Sequence, residues 1–304
     1  MIGAAAEIRS KLKDFIKCPD LTIGRLCDKI SSNKREVSKV NIDSICDRLS
    51  KIKYPPRAVY HFPVTDSTNR QARLTKKERD AHKTREYTHG IGEIFIADGQ
   101  SAGRGRLDRR FVSVMGAGLY FTVRLGASAV KHPEALTPTV AVATAEATEA
   151  LTGAAVGIKW VNDLYLGRKK LAGILCESHI DDGKTYYLIG IGINLRSARR
   201  GALVDEIATD LEAEGYKVEA EGLLAAVYER LLTRLSEDIP PLEEYRARSV
   251  LTDRRVLVSE GERRGYYATV RGIAEDFSLS VVTEDGEERQ LSFGEVSLKI
   301  DNYN

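Results

Sequence analysis

Up to residue 53 the apolar side chains recur every three or four positions, the spacing of amphipathic helices. Helices are expected over 7–16 and 21–30, the second striped by Leu21, Leu26 and Ile30. After the polar break Ser31-Ser32-Asn33, Asn41 is a suitable N-cap for a third helix striped by Ile42, Ile45, Leu49 and Ile52. Helix, break, helix is also the outline of a helix-turn-helix, with Lys34, Arg35 and Lys39 on its second helix. A small helical pack with solvated charges is preferred, because no segment for a β-wing fits before Pro55-Pro56.

From residue 58 the period changes to two. Ile94 and Ile96 fall in one strand, and Leu119, Phe121, Val123 and Leu125 line one face of another. An alanine-rich helix follows, with Thr137 as its cap, Pro138 in its first turn and Gly153 at its end. Three strand-like runs come next, over 157–166, 170–178 and 185–195, joined by turns short enough for antiparallel hairpins. Helical segments are expected over 205–214 and 220–236, the latter burying Leu223, Leu224, Val227, Leu231 and Leu235. A short helical stretch after Pro240-Pro241 precedes 255–300, whose brief strands and glycine-containing turns suit a small all-β barrel. The highly charged 75–88 segment lacks apolar periodicity and reads as a solvated helix or loop.

Composition narrows the function classes. The chain has 304 residues, with 46 basic and 44 acidic side chains for a net charge of +2, so nothing draws it as a whole to nucleic acid or membrane. Its most apolar later window, 140–151, carries Glu146 and Glu149, which excludes a membrane span there. Cys18, Cys27, Cys46 and Cys176 form no C-x-x-C pair, and the five histidines are dispersed, so no structural zinc site is expected. The first residues lack the charged start and apolar run of a signal peptide, and free thiols suit a reducing compartment. A cytoplasmic protein is predicted.

The candidate chemistry begins with an anion loop. Gly103 and Gly105 let main-chain N–H groups approach a ligand, and Arg104, Arg106, Arg109 and Arg110 add fixed positive charge. The spacing matches neither the dinucleotide nor the P-loop fingerprint. Asp66-Ser67-Thr68-Asn69 reads either as a helix cap or as hydroxyl and amide groups for a polar ligand head such as a ureido ring. Lys159 falls in an otherwise apolar strand, where a lysine is costly unless it faces an anion or solvent. Asn162 and Asp163 offer hard oxygen ligands suited to Mg²⁺, or form a hairpin turn with Lys159 at its end. Gly173, Gly190 and Gly192 lie inside strands, which marks close approach by a ligand or another backbone. No Ser–His–Asp or Cys–His set is apparent.

In this order the motifs resemble those of the bacterial biotin protein ligases, the biotin–[acetyl-CoA-carboxylase] ligases, over about residues 59–299. The resemblance rests on Ser67-Thr68-Asn69, Gly103-Arg104-Gly105-Arg106, Lys159-Trp160-Val161-Asn162-Asp163, Leu171-Ala172-Gly173-Ile174-Leu175, Gly190-Ile191-Gly192-Ile193-Asn194 and Gly294-Glu295-Val296-Ser297-Leu298. It implies an α+β fold: a catalytic domain like that of class II aminoacyl-tRNA synthetases over 56–250, with a mixed or antiparallel sheet. An SH3-like barrel is implied over 251–304, after an N-terminal helical segment over 1–55.

The implied reaction activates biotin with ATP to biotinyl-5′-adenylate and transfers it to a lysine of a biotin carboxyl carrier domain. The alternatives are a lipoate ligase or octanoyltransferase of the same fold, or a ligase that also represses a biotin operon. The resemblance implies that Ser67, Thr68, Asn69, Gln100, Arg104, Gly105, Arg106, Lys159, Gly173, Gly190 and Gly192 bind biotin. It assigns the adenylate to Arg104, Arg106, Arg109, Phe111, Lys159, Asn162 and Asn194. Lys159 and Arg106 are catalytic in this scheme, and Asp163 is a candidate for Mg²⁺ or for the base that deprotonates the acceptor lysine. Where the family usually has Arg-Gly-Arg-x-Trp after Arg106, this chain has Leu107-Asp108-Arg109-Arg110-Phe111, and Val161 replaces a usual proline. A homodimer is one expected possibility, DNA binding is the disfavoured alternative, and no membrane partner is expected.

Overall fold

Alternation within the strands separates two environments across one sheet. The structure is a computed structural model that describes residues 40–107, 109–259, 265–292 and the backbone of 297–300. The helices expected over 7–16 and 21–30, and Gly294-Glu295-Val296, lie outside the described residues. The chain divides into Met1–Val37 and Ser38–Asn304, and the described residues all belong to the second unit.

Eight strands build the sheet: β1 (Ala58–Phe62), β2 (Lys83–Glu86), β3 (Glu93–Ala97), β4 (Gly118–Gly126), β5 (Val156–Lys159), β6 (Asp163–Leu166), β7 (Lys169–Asp181) and β8 (Lys184–Asn194). Their spatial order is β2-β1-β3-β4-β8-β7-β6-β5. The β1–β3 pair is parallel and the other neighbours are antiparallel, so the sheet is mixed. On one face Val59, Ile94, Ile96, Leu119, Phe121, Val123, Leu125, Ile189, Ile191 and Ile193 enter the main core. Three helices cover that face: α1 (Ile42–Ser50), α4 (Leu136–Thr152) and α6 (Ala220–Ser236). The opposite face carries a small apolar cluster, including Tyr60, Phe62, Phe95 and Leu188, beside the short helices α2 (Thr68–Gln71) and α3 (Lys76–Asp80).

The expected caps and stripes are largely present. Asn41 accepts from Ser44 N at 3.0 Å, and Ile45 and Leu49 of α1 are buried. Gly153 ends α4 with φ at +70°, a left-handed conformation that glycine takes without strain. The α4 helix nonetheless starts at Leu136, so Thr137 lies inside its first turn rather than capping it. The β7–β8 hairpin turns at Asp182-Gly183, both with positive φ, as a two-residue connection requires.

Three expectations need correction. The run 157–166 is two antiparallel strands that reverse over 160–162, so Lys159 ends β5, as the hairpin alternative has it, instead of lying mid-strand. The segment 75–88 holds α3, started by a Thr75–Glu78 capping box, and then the charged edge strand β2. Charge on an edge strand discourages further pairing, and it also removes the alternation that would reveal the strand. In place of a helix over 205–214, α5 spans Ala202–Ile207 and the chain then turns irregularly. Backbone bonds tie that turn to the sheet, from Thr209 N to Lys170 O and from Leu211 N to Asn194 O, and the buried Arg200–Asp210 pair at 3.3 Å holds it. These tertiary bonds replace the helical ones.

After α7 (Leu242–Ala247) the chain forms a second, five-stranded antiparallel sheet ordered β12-β11-β10-β9-β13. Its strands are β9 (Arg255–Ser259), β10 (Tyr266–Ile273), β11 (Leu279–Thr283), β12 (Glu288–Leu291) and β13 (Ser297–Ile300), as a small SH3-like module requires. Among the described residues no helix is long and apolar enough to cross a membrane.

Candidate active site

On the face away from the main core, β7 and β8 floor a cavity of about 320 Å³. Its sides are the start of α2, the 100–111 loop and the 160–162 turn. Fifteen of the residues expected at the site line it: Ser67, Thr68, Asn69, Gln100, Arg104, Gly105, Arg106, Arg109, Phe111, Lys159, Asn162, Asp163, Gly173, Gly190 and Gly192. Residues more than a hundred positions apart therefore meet because the strands place them side by side.

One end is polar, closed and mostly satisfied from within. Ser67, Thr68 and Asn69 are buried, and Ser67 is the N-cap of α2 without bonding its backbone through its own hydroxyl. Thr122 Oγ1, buried on β4, donates to Asn69 Oδ1 at 2.6 Å and lies 2.8 Å from Thr68 Oγ1. Gln100 accepts from Thr68 N at 2.8 Å and donates to Ser113 Oγ at 2.7 Å. Such cross-bonding fixes rotamers before any ligand arrives.

The strand glycines have a reason that sequence alone left open. A Cβ at Gly190 would lie 2.2 Å from Asn69 Oδ1, and one at Gly192 would lie 2.6 Å from the Phe111 ring. The close approach is thus made by two side chains of the site itself. Phe111 rests on the floor because β8 has no side chains beneath it.

The glycine–arginine segment folds as a small hairpin. Phe111 N donates to Gly103 O at 2.9 Å, Gly105 N to Arg109 O at 2.7 Å, and Arg110 Nη2 to Ser101 O at 3.1 Å. Leu107 occupies its tip with φ at +54°. Arg106 reaches across the cavity to Asn162 Oδ1 at 3.4 Å, while Asn162 Nδ2 donates to Ile174 O at 2.7 Å.

The other end is cationic around a single carboxylate. Lys170 Nζ lies 2.7 Å from Asp163 Oδ1, and Lys159 pairs with Asp163 across the β5–β6 hairpin. Burial pushes the Lys159 ammonium below its ordinary range; Asp163 opposes that shift, whereas Lys170 and Arg109 add to it. Burial also lowers Arg106, again against Asp163. Positive charge held without an anion of equal weight is what a phosphate or carboxylate ligand would relieve. The turn itself is fastened from outside: Trp160 Nε1 donates to Phe277 O at 2.8 Å, and Tyr245 Oη donates to Val161 O at 3.1 Å.

Asn194 does not line the cavity. Its Nδ2 donates to Thr209 O at 2.9 Å, which anchors the irregular turn after α5, while its buried Oδ1 has no hydrogen-bond partner among the described residues. Asp163 is the one carboxylate among the described residues that line the cavity, and its Oδ1 is shared with Lys170, so by itself it does not make a protein-held magnesium site. Among the described residues no group of three His, Cys, Asp or Glu side chains could hold a metal. Lys170, Tyr165 and Ile207 line the cavity without having been singled out. Lys170 follows a Gly-Arg-Lys turn and reads as a solvated hairpin lysine until the fold pairs it with Asp163.

The Biotin/lipoate A/B protein ligase family matches residues 61–194. The bifunctional ligase/repressor BirA of Escherichia coli (strain K12) is 31% identical over 253 residues, covering 78% of this chain and 73% of that protein. Its counterpart in Bacillus spizizenii is 30% identical over 227 residues, covering 70% and 68% respectively. The biotin protein ligase of Aquifex aeolicus, solved in complex with biotin and ATP, superposes with a TM-score of 0.64 at 25% identity, covering 80% of this chain and 99% of that one. The chain belongs to the biotin/lipoate A/B protein ligase family and resembles its biotin protein ligases throughout the catalytic fold.

Proposed function

We propose that the protein is an ATP-dependent biotin protein ligase. A biotin carboxylate oxygen attacks the α-phosphorus of ATP, and pyrophosphate leaves to give biotinyl-5′-adenylate. A lysine amine of a carrier domain then attacks the acyl carbon, AMP leaves, and the amine loses a proton. The observation that carries this reading is one cavity with a closed polar end for a ureido ring and a cationic end for two anions.

Ser67, Thr68, Asn69 and Gln100 read the ring, Gly190 making room for Asn69. Lys159 and Arg106 neutralise the charge that builds on the phosphoryl group. Phe111 walls the adenine, and Arg104, Arg106 and Arg109 hold the hairpin over an anhydride that water would destroy. Magnesium belongs to this reading as the counter-ion that ATP brings on its phosphates. Asp163 remains the candidate base for the acceptor lysine. The acceptor is the carrier of acetyl-CoA carboxylase, supported by the name of a Mycobacterium tuberculosis relative, Biotin--[acetyl-CoA-carboxylase] ligase, 32% identical over 191 residues. A cytoplasmic setting agrees with the free thiols of Cys46 and Cys176.

Incubation with ATP, labelled biotin and a carrier domain should transfer label to one lysine. Label from lipoate or octanoate in place of biotin would overturn the reading.

The two floor glycines separate the substrates. Gly190→Ala should push Asn69 aside and raise KM for biotin roughly tenfold or more, with a smaller effect on ATP. Gly192→Ala should displace Phe111 and raise KM for ATP by a similar factor. Equal shifts for both substrates in both variants would show that the floor is not divided in this way.

A further inference from the structure

Glu177, on β7, is the point where three elements of the site meet. Its Oε2 accepts from Asn69 Nδ2 at 2.9 Å. Its Oε1 lies 2.9 Å from Arg73 Nη2, just past α2, and 3.3 Å from Arg104 Nη1 in the hairpin loop. Its side chain is 16% exposed, whereas Arg104 is 42% exposed. We infer that Glu177 is a positioning residue that orients Asn69 for the ring and clasps Arg104, so that ring recognition and loop closure are coupled through one carboxylate.

The chemistry of the group supports both halves. An ionised carboxylate only accepts hydrogen bonds, so Asn69 must turn its NH₂ toward Glu177. Asn69 Nδ2 also faces Leu175 O, a second acceptor, at 3.3 Å. Its Oδ1 is thereby directed to Thr122 and to the space above Gly190. The amide thus presents one defined edge. The same carboxylate gives the hairpin its attachment to β7, because Arg104 leaves the loop to reach it. A charge-assisted bond of this kind holds a partly exposed arginine better than a neutral acceptor would.

The inference rests on the biotin reading, and the test distinguishes the two. Trp160 is the single tryptophan of the chain and lines the cavity, so its fluorescence reports biotin binding in the full-length protein. A wild-type protein that fails to bind biotin overturns the functional reading and this inference with it. Given wild-type binding, Glu177→Gln should weaken biotin roughly tenfold to a hundredfold, the scale of a lost charge-assisted bond. The loss should fall on KM for biotin rather than on kcat for pyrophosphate release. Arg104→Met, at an exposed position that folds whatever Glu177→Gln does, should also weaken biotin. In that background Glu177→Gln should cost clearly less than in the wild type. Biotin affinity within twofold of wild type in either single variant, or equal costs of Glu177→Gln in both backgrounds, overturns the inference.

Discussion

Lys159→Ala yields a folded protein that releases pyrophosphate from ATP and biotin at roughly one-hundredth of the wild-type rate or less. Folding is retained because burial already works against this ammonium, and Lys170 and Arg109 repel it further. Removing it relieves a cost. Catalysis suffers because the first step brings a carboxylate against a phosphate, and Lys159 ends β5 where both would meet. A cation made available only in the transition-state geometry contributes about 3 kcal/mol, which corresponds to the stated factor. A pH profile checks the same assignment independently. The working form is the charged one and burial lowers its pKa from 10.5 in the free protein, so wild-type kcat/KM should fall with rising pH before a free lysine would titrate. Lys159→Arg should move that alkaline limb upward. Near-normal pyrophosphate release by Lys159→Ala, or a limb at or above pH 10.5, would remove Lys159 from the chemistry.

Arg106→Gly should have the opposite character: the adenylate forms but escapes. The variant loses the contact from the hairpin to Asn162 and gains backbone freedom in the same place. Lys159 remains, so activation continues, while the anhydride is held loosely and reaches solvent. It then acylates exposed lysines of proteins with no carrier domain. Incubation with ATP, biotin and such a bystander, followed by a biotin blot, should show labelling at least about tenfold above wild type. Lys159→Ala should label almost nothing. Bystander labelling equal to wild type in Arg106→Gly would mean that another group retains the intermediate.

Much of the site was legible because its motifs are local and ordered, and because the sheet lays them side by side. The alternation of Leu119, Phe121, Val123 and Leu125 identified the core face of β4, and therefore which face was left for Thr122. The glycines at 190 and 192 signalled close approach, but their partners, Asn69 and Phe111, needed the fold to be named. The reversal at 160–162 was legible only as the alternative that Asn162 and Asp163 form a turn, because Trp160 and Val161 continue the apolar run and periodicity cannot register a turn that stays buried. Asn194 looked like a ligand group at the end of a glycine strand; only the chain's return at Thr209 shows its Nδ2 to be engaged away from the cavity. Glu177 was unreadable for a related reason. A carboxylate beside a solvated-looking hairpin carries no pattern until Arg73, Arg104 and Asn69 converge on it.

The fastening of Trp160 to the small β-module has a consequence for how that module can diverge. The indole is held by a main-chain oxygen, Phe277 O, in a tight bend where Phe277 N donates to Ala274 O and φ at 277 is +63°. No side-chain replacement in the bend deletes that oxygen. The bond to the indole is therefore indifferent to which side chain stands at this point and sensitive to a change in length, while the Phe277 ring itself is buried against Tyr245. One residue inserted or removed between 274 and 278 would carry the oxygen away from the indole and loosen the turn that bears Lys159. A chimaera grafting a relative's module onto this body should be judged by the length and handedness of that one bend, before its sequence similarity.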